Sequence, residues 1–302
     1  MRLQGDGASW ACETLLEGAV AQCVAAADGR VLVGTRQRGA LVSSDGGASW
    51  EQVELPMPQV FSVAISAADG ALYAGTEPSH LFIARNGGAW RELTALQEIP
   101  SRGSWSFPPR PWTHHVRWIA PDPHRAQRLL VGIELGGLML TDDGGTTFSD
   151  HRPGAKRDVH SVVWHPQQES RAYEAAGDGA AWSGDGGLSW EAADTGRELR
   201  YCWALAVDPV DPGCWYVSAA SGARAAHSAQ RARGRLYRWQ EGTWQALALP
   251  DDTMPYALVV SGESVLAGMA DGQILHSVDR GETWSDTGLD LGPLMAMAAA
   301  DP

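Results

Sequence analysis

One turn motif recurs along the chain and constrains its fold more than any other feature. It reads Ser/Thr-x-Asp-x-Gly-x-Ser/Thr and ends in an aromatic residue. The four full copies are SSDGGASW (43–50), TDDGGTTF (141–148), SGDGGLSW (183–190) and SVDRGETW (277–284), and weaker copies end in Trp10, Trp90 and Trp244. A motif that returns at a regular period indicates a fold built from repeated units that stack on one another.

The spacing of the closing aromatic residues gives the size of the unit. These residues are Trp10, Trp50, Trp90, Phe148, Trp190, Trp244 and Trp284, at successive spacings of 40, 40, 58, 42, 54 and 40 residues. About 40 residues is the length of a four-stranded propeller blade, so the two long intervals carry insertions. Within residues 59–93, short apolar runs alternate with Gly and Asp turns, which indicates four strands per unit.

The two ends of the chain predict how the ring closes. The N-terminal piece contains only the last part of a unit, with a turn at Asp6-Gly7, and LMAMAAADP at the C-terminus is typical of a first, inner strand. Together they would complete one blade and remove the open sheet edges. We therefore predict an all-β, seven-bladed propeller of four-stranded blades in a single domain, residues 1–302. The closing blade lacks an obvious second strand, so a six-bladed ring is the alternative.

The motif resembles the Asp boxes of the BNR-repeat superfamily, which includes sialidases, xyloglucan-cleaving propellers and Ycf48-type photosystem assembly factors. That resemblance implies that the Asp box is a structural turn between the third and fourth strands. Turn chemistry leads to the same expectation, because an Asp carboxylate accepts backbone N–H groups of its own turn. We expect a structural role for all four motif aspartates, Asp45, Asp143, Asp185 and Asp279.

Charge and composition exclude several classes of partner. The formal net charge is -13, which argues against non-specific binding to nucleic acid or to an anionic membrane. The sequence contains no run of 18 apolar residues, so no membrane span is predicted. The N-terminus has no secretion-signal pattern. The four cysteines have no metal-ligand spacing. Cys23 and Cys202 fall in inner strands and are expected to be small buried residues. A cytoplasmic protein is the expectation.

Both long insertions are predicted on one face of the ring. Residues 95–115 would join a fourth strand to the next first strand, and residues 221–234 would join a second strand to a third. Those two kinds of connection share a face, opposite the Asp-box turns. Loops placed on a rigid scaffold often carry function, although these loops could also do no more than cap the channel.

An alignment of three inner strands on their prolines predicts a polar pocket at the same face. In HHVRWIAPDP (114–123), DVHSVVWHP (158–166) and RYCWALAVDP (200–209), Arg117, His160 and Trp203 share one position, and His115, Asp158 and Tyr201 share another two residues earlier. Residues two apart lie on one side of a strand. Glu134, Arg224 and His227 are predicted at this mouth too. The cluster favours a pocket for a small anionic ligand, the alternative being polar groups that only bond one another and water.

The first chemical hypothesis is a hydrolase or lyase that uses this pocket. Glu134 would activate Tyr201 as a nucleophile, with His160 or Asp158 as proton donor. Arg117, Arg224 and Arg36 would bind a substrate carboxylate or phosphate. The chain lacks the Arg-Ile-Pro segment of sialidases, and no pair of acids stands out as the two carboxylates of a glycosidase, so true sialidase activity is not expected.

Two other hypotheses remain open. A metal-dependent lyase or oxygenase would draw its ligands from the imidazoles and carboxylate of the mouth: His114, His115, His160, His227 and Glu134. No particular cofactor is indicated. A non-catalytic scaffold would use the 221–235 loop, whose segment ARAAHSAQRARGR (223–235) is arginine-rich, to contact an acidic protein partner. An enzyme is favoured over a scaffold.

Overall fold

The structure is a computed structural model that describes residues 1–5, 9–108, 113–228 and 232–299. It is an all-β propeller whose antiparallel sheets surround a central channel. The chain begins with a two-stranded sheet, β1 (Arg2–Gly5) and β2 (Trp10–Glu13). Six blades come after it in chain order.

Five of the six blades have four strands. The first contains β3 (Ala21–Ala27), β4 (Arg30–Thr35), β5 (Ala40–Ser43) and β6 (Glu51–Val53). The second contains β7 (Val60–Ile65), β8 (Leu72–Thr76), β9 (Leu81–Ala84) and β10 (Arg91–Glu92). The third has three strands, β11 (Val116–Pro121), β12 (Leu129–Ile133) and β13 (Gly137–Thr141), and a single bridge from Leu140 to Ser149 in place of the fourth.

The remaining blades repeat the pattern. The fourth contains β14 (Val159–Trp164), β15 (Ala172–Ala176), β16 (Gly179–Ser183) and β17 (Glu191–Ala192). The fifth contains β18 (Tyr201–Val207), β19 (Trp215–Ala220), β20 (Arg235–Gln240) and β21 (Thr243–Leu247). The sixth contains β22 (Pro255–Ser261), β23 (Ser264–Met269), β24 (Gln273–Ser277) and β25 (Ser285–Asp290). The helices are α1 (Ala223–Ala226) and two 3-10 helices, Thr94–Glu98 and Pro100–Ser104.

Glycines in second strands let neighbouring blades pack closely. A Cβ on Gly75 would lie 2.5 Å from the Val116 side chain, and one on Gly132 would lie 2.4 Å from that of Val159. In each pair the valine lies in or at the start of the inner strand of the next blade. The valine of the neighbouring blade therefore fills the space beside each glycine. This close contact joins one blade to the next around the ring.

The C-terminal segment makes the same kind of contact with the sixth blade. A Cβ on Gly268 would lie 2.8 Å from Leu294, so this segment packs where the next inner strand would stand. Leu3 of β1 packs in the same cluster. Among the described residues no sheet unites this segment with β1 and β2. The strand pairing therefore gives six blades, our alternative, and a seventh blade stays a prediction. The turn at Asp6-Gly7 lies outside the described residues.

The four full motifs form one repeated set of hydrogen bonds. In the copy at Asp185, one carboxylate oxygen accepts the Ser183 hydroxyl at 2.8 Å and the Ser189 N–H at 2.9 Å, and the other accepts the Ser189 hydroxyl at 2.6 Å. The copies at Asp45, Asp143 and Asp279 repeat the pattern. Hydrogen bonds from Ser49 lower the pKa of Asp45 to about 2. Each motif aspartate thus caps its own turn, as the sequence predicts.

Burial is densest between neighbouring blades. Trp215, Tyr173 and Tyr237 are fully buried in one cluster of the fourth and fifth blades. Cys202 is buried there as a free thiol, and burial raises its pKa to about 12. Across the described part of the chain, no helix is long and apolar enough to cross a membrane.

Candidate functional site

A β-bulge stands near the start of every inner strand of the six blades. The register skips one residue in five of these strands, namely Gln22, Phe61, Arg117, His160 and Tyr256, and skips Trp203 together with Ala204 in β18. A bulge breaks the alternation of a strand and turns a side chain in a new direction, which is why bulges recur beside sites. The bulged positions therefore form a ring around one end of the channel, which we call the mouth.

The bulged residues line a small cavity. Gln22, Phe61, Arg117, Trp203 and Tyr256 contribute to it, together with Met295 of the C-terminal segment. Its volume is about 150 Å³. At about 30 Å³ per water molecule, that space holds about five waters or one small molecule.

Glu134 is the central carboxylate of the mouth and stands directly after β12. Its Oε2 accepts a hydrogen bond from His115 Nε2 at 2.7 Å and lies 3.4 Å from Arg117 Nε. Burial opposes ionisation, but these two partners outweigh it and lower the pKa of Glu134 to about 2. The side chain is therefore ionised at neutral pH.

His115 is held rigidly beside this carboxylate. It is 1% exposed and stacks on Phe61, with ring centroids 4.0 Å apart. Phe107 from the first insertion contacts its edge at 5.1 Å, and its Nδ1 lies 3.6 Å from a carboxylate oxygen of Glu77. Packing from three sides explains why its position is fixed.

Asp158 and His160 come from the start of the fourth blade. The His160 Nδ1 donates a hydrogen bond to the Cys202 carbonyl oxygen at 2.6 Å, so Nε2 carries the lone pair. Burial lowers the pKa of His160 to about 4, and the ring is neutral. Its Nε2 lies 3.7 Å from an oxygen of Asp158. Burial, and then the negative charge of Glu134, raise the pKa of Asp158 to about 7.

Two carboxyl groups thus lie together, which the spacing of residues along the chain does not reveal. One ligand atom each from Glu134, Asp158 and His160 fall within 4.8 Å of one another. The two acids lie in different blades and meet only when the ring closes. Of the other candidate metal ligands, His114 packs against Trp105 instead, with ring centroids 5.4 Å apart.

Aromatic rings form the wall opposite the carboxyl groups. The Arg117 guanidinium carbon lies 4.7 Å above the Trp203 ring, and Trp203 stacks on Tyr256 with centroids 5.3 Å apart. Tyr201 contacts His160 at 4.8 Å, and burial raises the pKa of its phenol. No hydrogen bond between Tyr201 and Glu134 is found among the described residues. The role of Tyr201 as an activated nucleophile therefore stays a prediction.

The second insertion is anchored at the mouth. The Tyr256 hydroxyl donates to the Ala226 carbonyl oxygen at 2.9 Å, and Ala226 is fully buried. His227 lies 4.9 Å from Trp203, edge to face. Arg224 is exposed, and no contact joins it to the cluster within the described part of the chain. Residues 229–231 of the 221–235 loop lie outside the described residues, so a protein partner there stays a prediction.

The first insertion reaches the same mouth. Its two 3-10 helices bury Leu96, and Trp105 comes after them and enters the core. Phe107 then contacts His115. Residues 109–112 lie outside the described residues. Arg36, a further candidate, is exposed and donates a hydrogen bond to Gln22 at 3.1 Å. Both insertions therefore contact bulged or neighbouring residues of one mouth.

Sequence reasoning misses half of the bulged ring. The alignment that yields Arg117, His160 and Trp203 applies equally to the inner strands of the first, second and sixth blades. Extended to those strands, it places Gln22, Phe61 and Tyr256 at the same position. An alignment anchored on the Pro that closes a strand does not find these three, because their strands lack that Pro.

Comparisons with known proteins give the architecture. No family model and no curated protein matches the chain. Among solved structures, the GH74 xyloglucanase from Xanthomonas campestris is 19% identical, with a TM-score of 0.67 over 89% of this chain and 45% of that one. An ancestral GH74 enzyme is 19% identical, with a TM-score of 0.66 over 87% of this chain and 37% of that one. Ycf48 from Cyanidioschyzon merolae is 11% identical, with a TM-score of 0.62 over 91% of this chain and 87% of that one.

These similarities support the β-propeller fold. The chain spans less than half the length of the two GH74 chains. Identities this low carry fold and not activity, because unrelated functions share a common fold. The function has to be argued from the mouth itself.

Proposed function

We propose that the protein binds a small organic anion, a carboxylate, in the channel mouth and acts on it as a hydrolase or lyase. The observation that carries this proposal is the state of Arg117. Its side chain is 18% exposed, it lines the cavity, and it rests on the Trp203 ring. Among the described residues its only ion pair is the 3.4 Å contact of Nε with Glu134.

The terminal nitrogens of Arg117 are suited to a bidentate ligand. Among the described residues, the terminal nitrogens donate no hydrogen bond, and Nε donates none either. A guanidinium binds a carboxylate through two parallel N–H donors, and such charge-assisted bonds are about twice as strong as neutral ones. Stacking on Trp203 holds the guanidinium in place before a ligand arrives, which lowers the entropy cost of binding.

The groups beside Arg117 supply the means for chemistry. Glu134 and Asp158 bring two carboxyl groups to the mouth, and Tyr201 brings a phenol. A Cβ on Gly177 would lie 1.8 Å from Asp158 and 3.0 Å from Tyr201, so these two side chains share the space that the missing side chain leaves. In this proposal the Asp158 carboxyl group and the Tyr201 phenol transfer protons to and from a bound substrate. Glu134 and Tyr201 keep their predicted roles of base and nucleophile. The proton donor is Asp158, whose pKa is raised to about 7, because the neutral His160 ring presents a lone pair.

Binding is tested by calorimetric titration with a panel of small mono- and dicarboxylates. We expect Arg117→Met to weaken the best ligand about 100-fold, because a charge-assisted hydrogen bond contributes about 1.5–3 kcal/mol. Arg125→Met is the matched control, since Arg125 is exposed and pairs with Glu169. Equal affinity in Arg117→Met and wild type would refute the proposal.

The catalytic part is tested on whichever ligand binds. Product analysis after incubation with that ligand should show turnover by wild type. Tyr201→Phe and Glu134→Gln should abolish turnover while the melting temperature stays within a few degrees of wild type. Undiminished turnover in both variants would remove the assigned roles and leave a binding protein.

A further inference from the structure

We propose that Glu134, Asp158 and His160 bind a divalent transition-metal ion at the mouth. The ion would be of the first row, such as Zn²⁺ or Mn²⁺. The inference deepens the proposed function, because a metal beside Arg117 gives the anion a second point of attachment. It stands on its own geometry and can be tested with no anion present.

His160 is the first argument for a metal. Its ring is 0% exposed, and its Nε2 has no hydrogen-bond partner among the described residues. A buried polar nitrogen without a partner costs about 1–3 kcal/mol, and a metal ion that binds the nitrogen would remove this cost. The lone pair on Nε2 faces the oxygen of Asp158 at 3.7 Å. A cation between the two would satisfy both.

The other nitrogen of the ring provides the support that metal-bound histidines have. Nδ1 donates to the Cys202 carbonyl oxygen at 2.6 Å. Metal-ligating histidines almost always donate their second N–H to a carbonyl or carboxylate, which fixes the tautomer and aims the free nitrogen. The bulge in β14 places His160 in this position.

The two carboxylates complete the set without giving up their existing contacts. Both described contacts of Glu134, with His115 and Arg117, are made by Oε2, which leaves Oε1 for an ion. Asp158 has room because Gly177 has no side chain there. Ligands about 2.1 Å from one ion lie at most about 4.2 Å apart. The three ligand atoms lie within 4.8 Å of one another, so binding one ion would draw them closer together.

The donor set selects the class of metal. The imidazole nitrogen suits Zn²⁺, a borderline ion, and the two carboxylate oxygens suit Zn²⁺ and Mn²⁺, whereas Ca²⁺ and Mg²⁺ are bound by oxygen ligands alone. Three protein ligands leave at least one coordination position open, as in catalytic sites. The two carboxylates balance the charge of the ion. The Arg117 guanidinium adds one positive charge, which favours binding of an anion.

The experiment uses the full chain after removal of metals with a chelator. Zn²⁺ and Mn²⁺ are titrated by calorimetry, and bound metal is counted by elemental analysis after dialysis. We expect one ion per chain, and an affinity lower by about 100-fold in Asp158→Asn and in His160→Gln. Co²⁺ should give visible absorption bands typical of nitrogen and oxygen ligands in wild type and lose them in His160→Gln.

A matched control separates ligation from folding. His165 is a buried histidine at the other end of the same strand, and its Nε2 donates to the Asp208 carbonyl while Nδ1 accepts two N–H groups. His165→Gln should retain one ion per chain. Less than one ion per chain in wild type at 1 mM metal, or equal binding in Asp158→Asn, would overturn the inference. The metal-free protein is titrated in parallel with the small carboxylate. This titration distinguishes loss of the metal site from loss of the Arg117 site.

Discussion

The two faces of the ring use polar side chains in opposite ways. On the face of the motif turns, the carboxylate of Asp185 receives three hydrogen bonds from its own turn. At the mouth, Arg117 Nε and His160 Nε2 are buried and receive or donate none among the described residues. The four motif aspartates are hydrogen-bonded by residues four or fewer positions away, whereas the mouth groups come from different blades.

The difference separates groups that build the fold from groups available to a ligand. A carboxylate whose hydrogen bonds come from its own turn stabilises that turn. A buried donor or acceptor without a hydrogen bond destabilises the fold, and a ligand that bonds to it removes this destabilisation. Substitutions of single side chains test this contrast.

The largest effect is expected at Glu174, a carboxyl in the blade of Asp158 and His160. It is fully buried, and one oxygen accepts the Lys156 N–H at 2.9 Å while the other has no partner among the described residues. Burial raises its pKa from 4.5 to about 8. The protonated form is thus the folded form, and its stabilisation is complete below about pH 4.5 and lost as the pH rises through 8.

Glu174→Gln removes this dependence because the amide stays neutral. Relative to wild type, the free energy of unfolding of the variant should rise by about 1.4 kcal/mol per pH unit between about pH 4.5 and 8, on the order of 5 kcal/mol in total. Denaturant unfolding at pH 5, 7 and 9 measures the gap. Glu191→Gln, an exposed change in the same blade, is the control. A gap that does not change with pH would show that Glu174 is already ionised in the folded protein.

A medium effect is expected on the face of the motif turns. Asp185→Ala removes three hydrogen bonds and leaves the Ser189 N–H without its acceptor, so we expect a loss of about 2 kcal/mol in the free energy of unfolding. Anion and metal affinities at the mouth should not change. Weakened ligand binding with unchanged stability would mean that the motif takes part in the site and that the contrast between the faces is wrong.

The smallest effect is expected where the second insertion joins the mouth. Tyr256→Phe loses the hydrogen bond to Ala226 but keeps the stack on Trp203. We expect a loss of about 1 kcal/mol and a change of only a few-fold in anion affinity. Hydrogen exchange of residues 223–228 should quicken. Unchanged exchange there would show that the loop is held by other contacts.

The repeat spacing in the sequence predicts those features of the fold that recur in every blade. The Asp-box turns, the blades and the inner positions of Arg117, His160 and Trp203 are all given by spacing, because each blade repeats the same local hydrogen bonds. Spacing does not give the number of blades, because strand pairing in the closing sheet depends on contacts between the chain ends. The described residues pair as six blades and a two-stranded sheet.

The chemistry of the mouth is beyond sequence reasoning for a related reason. The pairing of Glu134 with Asp158, and the partnerless Nε2 of His160 among the described residues, arise between blades when the ring closes. The hydrogen bond from His160 to the Cys202 carbonyl joins two neighbouring blades. No spacing along the chain encodes such a contact. Burial then sets the pKa values, and burial is a property of the assembled ring.

The most direct test of the central claim is a crystal structure of the protein soaked with the small carboxylate that binds best in calorimetry. The account predicts ligand density in the channel mouth, with carboxylate oxygens about 2.8 Å from the terminal nitrogens of Arg117. Carboxylate found only at other surfaces, with water alone beside Arg117 and Trp203, would contradict it.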